Sequence, residues 1–227
     1  MRGDACILVD DQDHVTGSAS KLDCHRFTDK QPSGLLHRAF SVFLFNSQNE
    51  LLLQQRASHK ITFPNMWTNT CCSHQLHDQQ PPEVDLEADV SEGSVMGAKQ
   101  AAIRKLGHEL GIPAKQLPLA AFKYLTRLHY CAADESTRDA SGAWGEHEMD
   151  FILLAKCDVD VQPNPEEVAA VTYVDADGLR SMMQPASMHT WSPWFRKIVD
   201  NMLDGWWSDL DRTLSDEVKH DQTIHRL

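Results

Sequence analysis

The segment Trp67-Thr68-Asn69-Thr70-Cys71-Cys72-Ser73-His74 sets a thiol two residues from an imidazole, behind an aromatic anchor. A second segment, Gly145-Glu146-His147-Glu148, sets two carboxylates at alternate positions at the mouth of an apolar run. Thiol, imidazole and paired carboxylates are the groups of a metal-assisted proton-transfer site. Residues two apart on a strand share a face, so Glu146 and Glu148 project into one place. Asp150 continues that face, and Ile152 and Leu154 bury it. A solvated acidic strand end accounts for such a pair equally well. The nearly all-apolar run that follows favours the other reading, because acids at the mouth of a buried strand are open to desolvation, tuning or metal binding.

The same parity separates the cysteines. A free cysteine is most often a small buried hydrophobe, and a reactive one needs a nearby cation or metal. In an extended segment Cys71 and Cys72 point opposite ways, and the parity of His74 picks Cys72 for the site. His25, His37 and His74 fall in three separate elements, and any one alone reads as an ordinary surface or core histidine. Joined by the two-carboxylate strand, they suit zinc or manganese, whereas magnesium prefers oxygen. Lys21, Arg38, Arg56 and Lys60 are scattered cations near the same N-terminal elements. Arg38 reads as a solvated surface residue, while Arg56 and Lys60 sit where a strand gives way to a loop, a usual place to hold a polyanion. Trp191, Trp194, Trp206 and Trp207 crowd the end of the chain as packing residues. Trp194 opens its helix and is best placed to face a cation.

The elements that must position these groups follow from periodicity and turn signals. Ala5–Val9 reads as a strand with a polar turn after it, and 40–46 and 51–56 read as a hairpin. The stretch 75–95 is acidic, carries Pro81-Pro82 and reads as an exposed insertion. Ala98, Ala102, Leu106 and Glu109 share one face of a helix over 98–110 that Gly111 and Pro113 stop. Two strands, 123–132 and 148–156, flank a polar loop, and a further strand covers 168–174 with Asp175 capping the helix after it. Ser192-Pro193 starts a last helix with Phe195, Ile198, Val199, Met202 and Trp206 on one stripe. Strands and helices without βαβ regularity indicate an α+β sandwich.

The length of 227 residues favours one domain with decorations, spanning 1–227. A net charge of -12 argues against nucleic acid or an anionic membrane as partner. It also means that an anionic substrate needs its positive counterparts concentrated locally. Neither a long apolar span nor a secretory leader is visible, and six cysteines without framework spacing point to a reducing compartment. The entry into Ile7-Leu8-Val9 is direct enough that a transit peptide removed beforehand is compatible with it. The terminal His225-Arg226-Leu227 weakly resembles a peroxisomal address, so cytoplasm, plastid and peroxisome all stay open.

Together these residues resemble type I isopentenyl-diphosphate isomerase, a metal-dependent branch of the Nudix fold. The best matching segments are Gly34-Leu35-Leu36-His37-Arg38-Ala39-Phe40-Ser41-Val42-Phe43-Leu44-Phe45-Asn46, the segment 67–74, the segment 145–150, and Ser192-Pro193-Trp194-Phe195. The resemblance implies an α+β, Nudix-like αβα sandwich on a mixed sheet with N- and C-terminal additions. It implies that isopentenyl diphosphate and dimethylallyl diphosphate are interconverted by moving a proton across the allylic unit. Cys72 and Glu148 would be the acid and base, Tyr130 would bond the carboxylate and Trp194 would face the developing cation. His25, His37, His74, Glu146 and Glu148 would bind zinc or manganese. Glu109 would help hold magnesium on the diphosphate, whose oxygens would meet Lys21, Arg56 and Lys60. No flavin is expected, and a monomer is. The general Nudix signature is incomplete: Lys105 and His108 stand at glutamate positions, Met96 at an earlier acidic one, and only Arg104 and Glu109 remain. That argues against a Nudix hydrolase of nucleoside diphosphate derivatives, the main competing reading, which also leaves Cys72 idle. A non-catalytic metal-binding module is the third.

Overall fold

The computed structural model describes residues 3–227. Its strands are β1 (Ala5–Val9), β2 (Val15–Ser20), β3 (Arg26–Phe27), β4 (His37–Phe45), β5 (Leu51–Arg56), β6 (Trp67–Thr68), β7 (Cys71–Ser73), β8 (Phe122–Asp139), β9 (Gly142–Lys156), β10 (Val168–Val174) and β11 (Ile224–Arg226). They join in one mixed sheet whose main path runs β10-β5-β4-β9-β8-β11. The helices that matter are α1 (Lys21–Cys24), α2 (Glu87–Glu92), α3 (Met96–Leu110), α4 (Ala176–Met182) and α5 (Pro193–Ile198).

Every residue of β4 is buried, which requires cover on both faces of the sheet. Strand alternation sends Phe40, Val42 and Leu44 to the side of Ala98, Ala102 and Leu106 on α3. It sends Phe43 and Phe45 to the side of Phe195 and Ile198 on α5 and, beyond a π-helical stretch at Val199–Leu203, Trp207. Each fully buried Phe or Leu contributes about 1.5–3 kcal/mol by leaving water. The result is a helix–sheet–helix sandwich, the architecture implied by the family resemblance.

The expected hairpin is only partly formed. β4 and β5 meet at the single pair Phe45–Leu51 and then diverge. β6 pairs with β5 and β7 with β4, so the 67–73 segment fills the wedge between them. The other edge of β4 runs parallel to β9, from His37 opposite Glu148 to Phe45 opposite Lys156. The strands expected at 123–132 and 148–156 are longer than periodicity indicated. Pairing continues through Ala132–Glu146, Ala133–Gly145 and Asp134–Trp144 and resumes at Asp139–Gly142 after a bulge. Their polar, charged ends form a two-stranded ribbon, whose backbone pairing needs no apolar alternation. Glu146 consequently lies inside a strand, in step with Glu148.

Two further expectations are corrected. The 75–95 stretch is not simply exposed: Leu76, Glu83, Asp85, Val90 and Val95 are buried. Helix α3 begins after Val95, which offers no capping oxygen, and the Asp85 carboxylate takes over that task. It accepts from Gly97 N at 2.7 Å and Ala98 N at 2.9 Å. Glu83 in turn accepts from Arg104, and a side chain on Gly97 would meet the Glu83 carbonyl at 2.4 Å. Arg38 is the second correction. It is 1% exposed on the α3 side of β4, where Nε donates to Asp13 Oδ1 at 2.8 Å and Nη1 to the Asp85 carbonyl. Asp85→Ala is expected to cost about 2 kcal/mol of stability, the scale of a lost cap plus an unmet buried donor. A shift of the urea midpoint measures it, and an unchanged midpoint would remove Asp85 from this role.

Candidate active site

β4, β7, β9 and the C-terminal end of α1 deliver five side chains to one spot: His25, His37, His74, Glu146 and Glu148, all buried, their ligand atoms within 4.8 Å of one another. His37 and Glu148 are there because they are register partners across the parallel β4–β9 pair. Glu146 follows two residues earlier on the same face. The three imidazole centroids stand 4.8–4.9 Å apart.

The protons on two rings are fixed by what they touch. His25 Nδ1 lies 2.6 Å from the Lys21 carbonyl and His37 Nδ1 2.7 Å from that of Leu35. A carbonyl only accepts, so each Nδ1 carries a proton, and in the neutral ring Nε2 then presents a lone pair. Both Nε2 atoms are buried without a hydrogen-bond partner, as are His74 Nδ1 and Glu146 Oε2. His25 Nε2 nevertheless stands 2.7 Å from Glu146 Oε2. A lone pair facing a carboxylate oxygen at that distance is repulsive unless a proton or a metal cation lies between them. Burial and the neighbouring His25 push His37 down to about 3, and burial likewise holds His74 well below its ordinary value. Both rings are thus neutral, the form that ligates a metal. The donor set, orphaned atoms and backbone-held tautomers fit a divalent ion.

Beside this cluster opens a cavity of about 320 Å³, lined by Cys72, Tyr130, Glu148 and Trp194. Cys72 and His74 face it, while Cys71 packs into the α3-side core, its thiol 3.5 Å from Glu109 Oε2. Burial pushes the Cys72 thiol up, so it keeps its proton at neutral pH. Tyr130 donates to Glu148 Oε2 at 2.6 Å, and His74 Nε2 lies 2.8 Å from Glu148 Oε1. Burial, with Glu146 and Asp150 beside it, pushes the Glu148 carboxyl well above the usual range. Trp194 is held by Nε1–H to Asn69 Oδ1 at 3.1 Å, its ring next to Tyr130 and under the Arg56 guanidinium.

The cavity also takes in Lys21, Arg56, Lys60 and Glu109. Arg56 is partly committed to the loop after β5, donating to the carbonyls of Phe63 and Thr62 at 3.0 and 2.8 Å. Lys60 pairs with Glu167. Burial works against the Glu109 carboxylate, yet Lys105 and Lys60 hold it down to about 2. Lys105, Thr62 and the pair Glu166 and Glu167 went unread as site residues in the sequence. Lys105 was legible as the i+4 partner reversed onto Glu109, at 3.1 Å. Thr62, which donates to Glu146 Oε1 at 2.8 Å, sits in a loop with no pattern to betray it. Four cations thus line the cavity against six carboxylates, counting Asp4. The cavity is net acidic, so a polyanion there would need further positive charge beside these four cations.

Comparison with known proteins gives a consistent picture. The NUDIX domain model matches residues 35–195, leaving β1 to β3 and the segment after α5 begins as additions at either end. The isopentenyl-diphosphate delta-isomerase of Gibberella zeae is 48% identical over 227 residues, 100% of this chain and 84% of that protein. The corresponding Aspergillus fumigatus enzyme is 49% identical, with 100% of this chain and 80% of that one covered. The chloroplastic isopentenyl-diphosphate Delta-isomerase 1 of Cannabis sativa is 46% identical, covering 100% and 76%. Among solved structures, one from Deinococcus radiodurans superposes with a TM-score of 0.56 at 16% identity, over 88% of this chain and 99% of that one. Among the described residues, no helix is long and apolar enough to cross a membrane.

Proposed function

The chain belongs to the isopentenyl-diphosphate delta-isomerases of the NUDIX fold, and from that premise we propose how its residues carry out the interconversion of isopentenyl and dimethylallyl diphosphate. The reaction supplies isoprenoid biosynthesis. The observation that carries the assignment of roles is that Cys72 and Glu148 line one cavity with the ring of Trp194.

One of the pair gives a proton to the terminal alkene carbon of isopentenyl diphosphate, leaving a tertiary cationic carbon. The other removes a proton from the carbon on the opposite side of that centre, and the double bond re-forms there. In the reverse reaction the first group recovers its proton and the second returns the one it removed. A dry slot prevents capture of the cation by water while substrate fills it, and Cys72, partly exposed in the open cavity, regains solvent protons between turnovers. Trp194 offers its ring face to the cationic carbon, an attraction strengthened by desolvation. Tyr130 orients Glu148 by donating to Oε2 and leaves Oε1 to the histidine side.

His25, His37, His74, Glu146 and Glu148 would hold zinc or manganese, whose charge fixes Glu148 and sets its acidity. Glu109, an oxygen donor kept ionised, suits magnesium carried in by the diphosphate. Lys21, Arg56 and Lys60 are placed for the remaining diphosphate oxygens. Lys105 and His108, which line the cavity where a hydrolase has glutamates, weigh against pyrophosphate cleavage.

Metal removal tests this reading. Dialysis against a chelator should abolish isomerisation, with zinc or manganese restoring it. No phosphate or monophosphate should be released from nucleoside diphosphate derivatives in magnesium. Full turnover by metal-free protein, or hydrolysis of those derivatives, would overturn it.

A further inference from the structure

We propose that Thr62 is a positioning residue that aims Glu146 at the metal, from a turn shared with the diphosphate seat. The proposal rests on the metal centre read above and adds a residue that acts through one of its ligands. A carboxylate turns easily about its last side-chain bond, so either oxygen can face a neighbouring ion unless one of them is held. In Glu148 the held oxygen is Oε2, which accepts from the Tyr130 hydroxyl at 2.6 Å. In Glu146 it is Oε1, which accepts from Thr62 Oγ1 at 2.8 Å. Glu146 Oε2 is buried without a hydrogen-bond partner and stands 2.7 Å from His25 Nε2 and 3.9 Å from His74 Nε2. Each carboxylate is thus gripped by one hydroxyl and turns its other oxygen towards the histidines, as metal-binding carboxylates do when an outer partner orients them.

The turn that carries Thr62 is itself fixed. Its side chain is branched at Cβ and 5% exposed, which leaves little rotamer freedom. The Arg56 guanidinium donates to the Thr62 and Phe63 carbonyls at 2.8 and 3.0 Å, and Nη2 also reaches Thr62 Oγ1 at 3.3 Å. An ionised carboxylate can only accept, so the hydroxyl directs its one proton at Glu146 and accepts from Arg56. Donation therefore runs one way, from Arg56 through Thr62 to Glu146. On the other side Phe63 N donates to Asp134 Oδ2 at 2.8 Å. Phe63 sits at φ +50°, a left-handed conformation that a bulky residue keeps only where its surroundings impose it. Its ring meets that of Trp194 edge-on, with centroids 5.6 Å apart. Two consecutive residues thus touch a metal ligand, a cation of the diphosphate seat and the ring assigned to the cationic carbon.

Zinc titration of metal-depleted protein, in competition with a chromophoric chelator, tests the proposal. Thr62→Val keeps the shape of the side chain and loses the hydroxyl, and it should bind zinc about 10–100-fold more weakly than the unaltered protein. Thr62→Ser restores a hydroxyl and should recover most of that affinity, which a purely packing role would not allow. The zinc concentration giving half-maximal isomerisation should rise and fall in step across the three proteins. Asp134→Ala, which releases the turn but leaves Thr62 in place, should weaken zinc binding in the same direction, and combined with Thr62→Val it should add little. Equal zinc affinity in Thr62→Val and the unaltered protein, or a Thr62→Ser protein as weak as Thr62→Val, would overturn the proposal. Failure of the metal centre itself looks different: the unaltered protein would then take up no zinc, and this proposal would fall with it.

Discussion

Cys72→Ala is expected to lower isomerisation by at least about a thousandfold, roughly 4 kcal/mol of barrier, while metal content and the unfolding midpoint stay near those of the unaltered protein. The thiol holds its proton because burial pushes it up, and it faces the slot beside Trp194 without contributing to the His/Glu cluster. Removing one sulfur from a partly exposed position leaves a small space on a surface already open to ligand. Cys71→Ala supplies the comparison. That thiol is fully buried on the far face of β7, so its loss should cost stability and spare turnover. Steady-state rates, metal analysis and denaturant curves on both variants measure this. Equal catalytic damage from the two would contradict the division of the pair by strand parity.

Glu148→Gln should be more damaging still. One carboxylate is asked to move a proton and to help hold an ion, and the amide does neither. Activity should fall by roughly a thousandfold or more and bound zinc or manganese should fall with it. The amide nitrogen of the new side chain would also confront the Tyr130 hydroxyl or His74, both of which now meet carboxylate oxygens at 2.6 and 2.8 Å. Metal analysis separates the two jobs: a variant inactive with full metal occupancy would place Glu148 in proton transfer alone. Full turnover would remove it from the chemistry.

Much of this site was legible because the chemistry rides on regular backbone. Glu146 and Glu148 share a face as any residues two apart on a strand do, and Cys72 and His74 follow the same rule. Helix α3 ends where Gly111 adopts a left-handed conformation, as its sequence foretold. What escaped notice was fixed by partners far along the chain. Nothing near Arg38 says that Asp13 and the Asp85 carbonyl will enclose it. The acids at 83 and 85 look solvated by composition, yet they satisfy the amides of a helix that lacks its own cap and the guanidinium of Arg104. The turn between β4 and β5 was readable, but not that the strands part to admit 67–73, because pairing of β4 with β9 is a contact more than a hundred residues apart in sequence.

The most direct test follows hydrogen rather than rate. Isopentenyl diphosphate is incubated in heavy water with metal-loaded protein, and substrate and product are examined for deuterium. The account predicts deuterium in the methyl group formed at the former alkene terminus and, on reversal, at the deprotonated carbon. It also predicts none when Cys72→Ala protein of equal metal content is used. Undiminished incorporation by that variant, or full conversion without solvent deuterium entering either position, would contradict an acid and base built from Cys72 and Glu148.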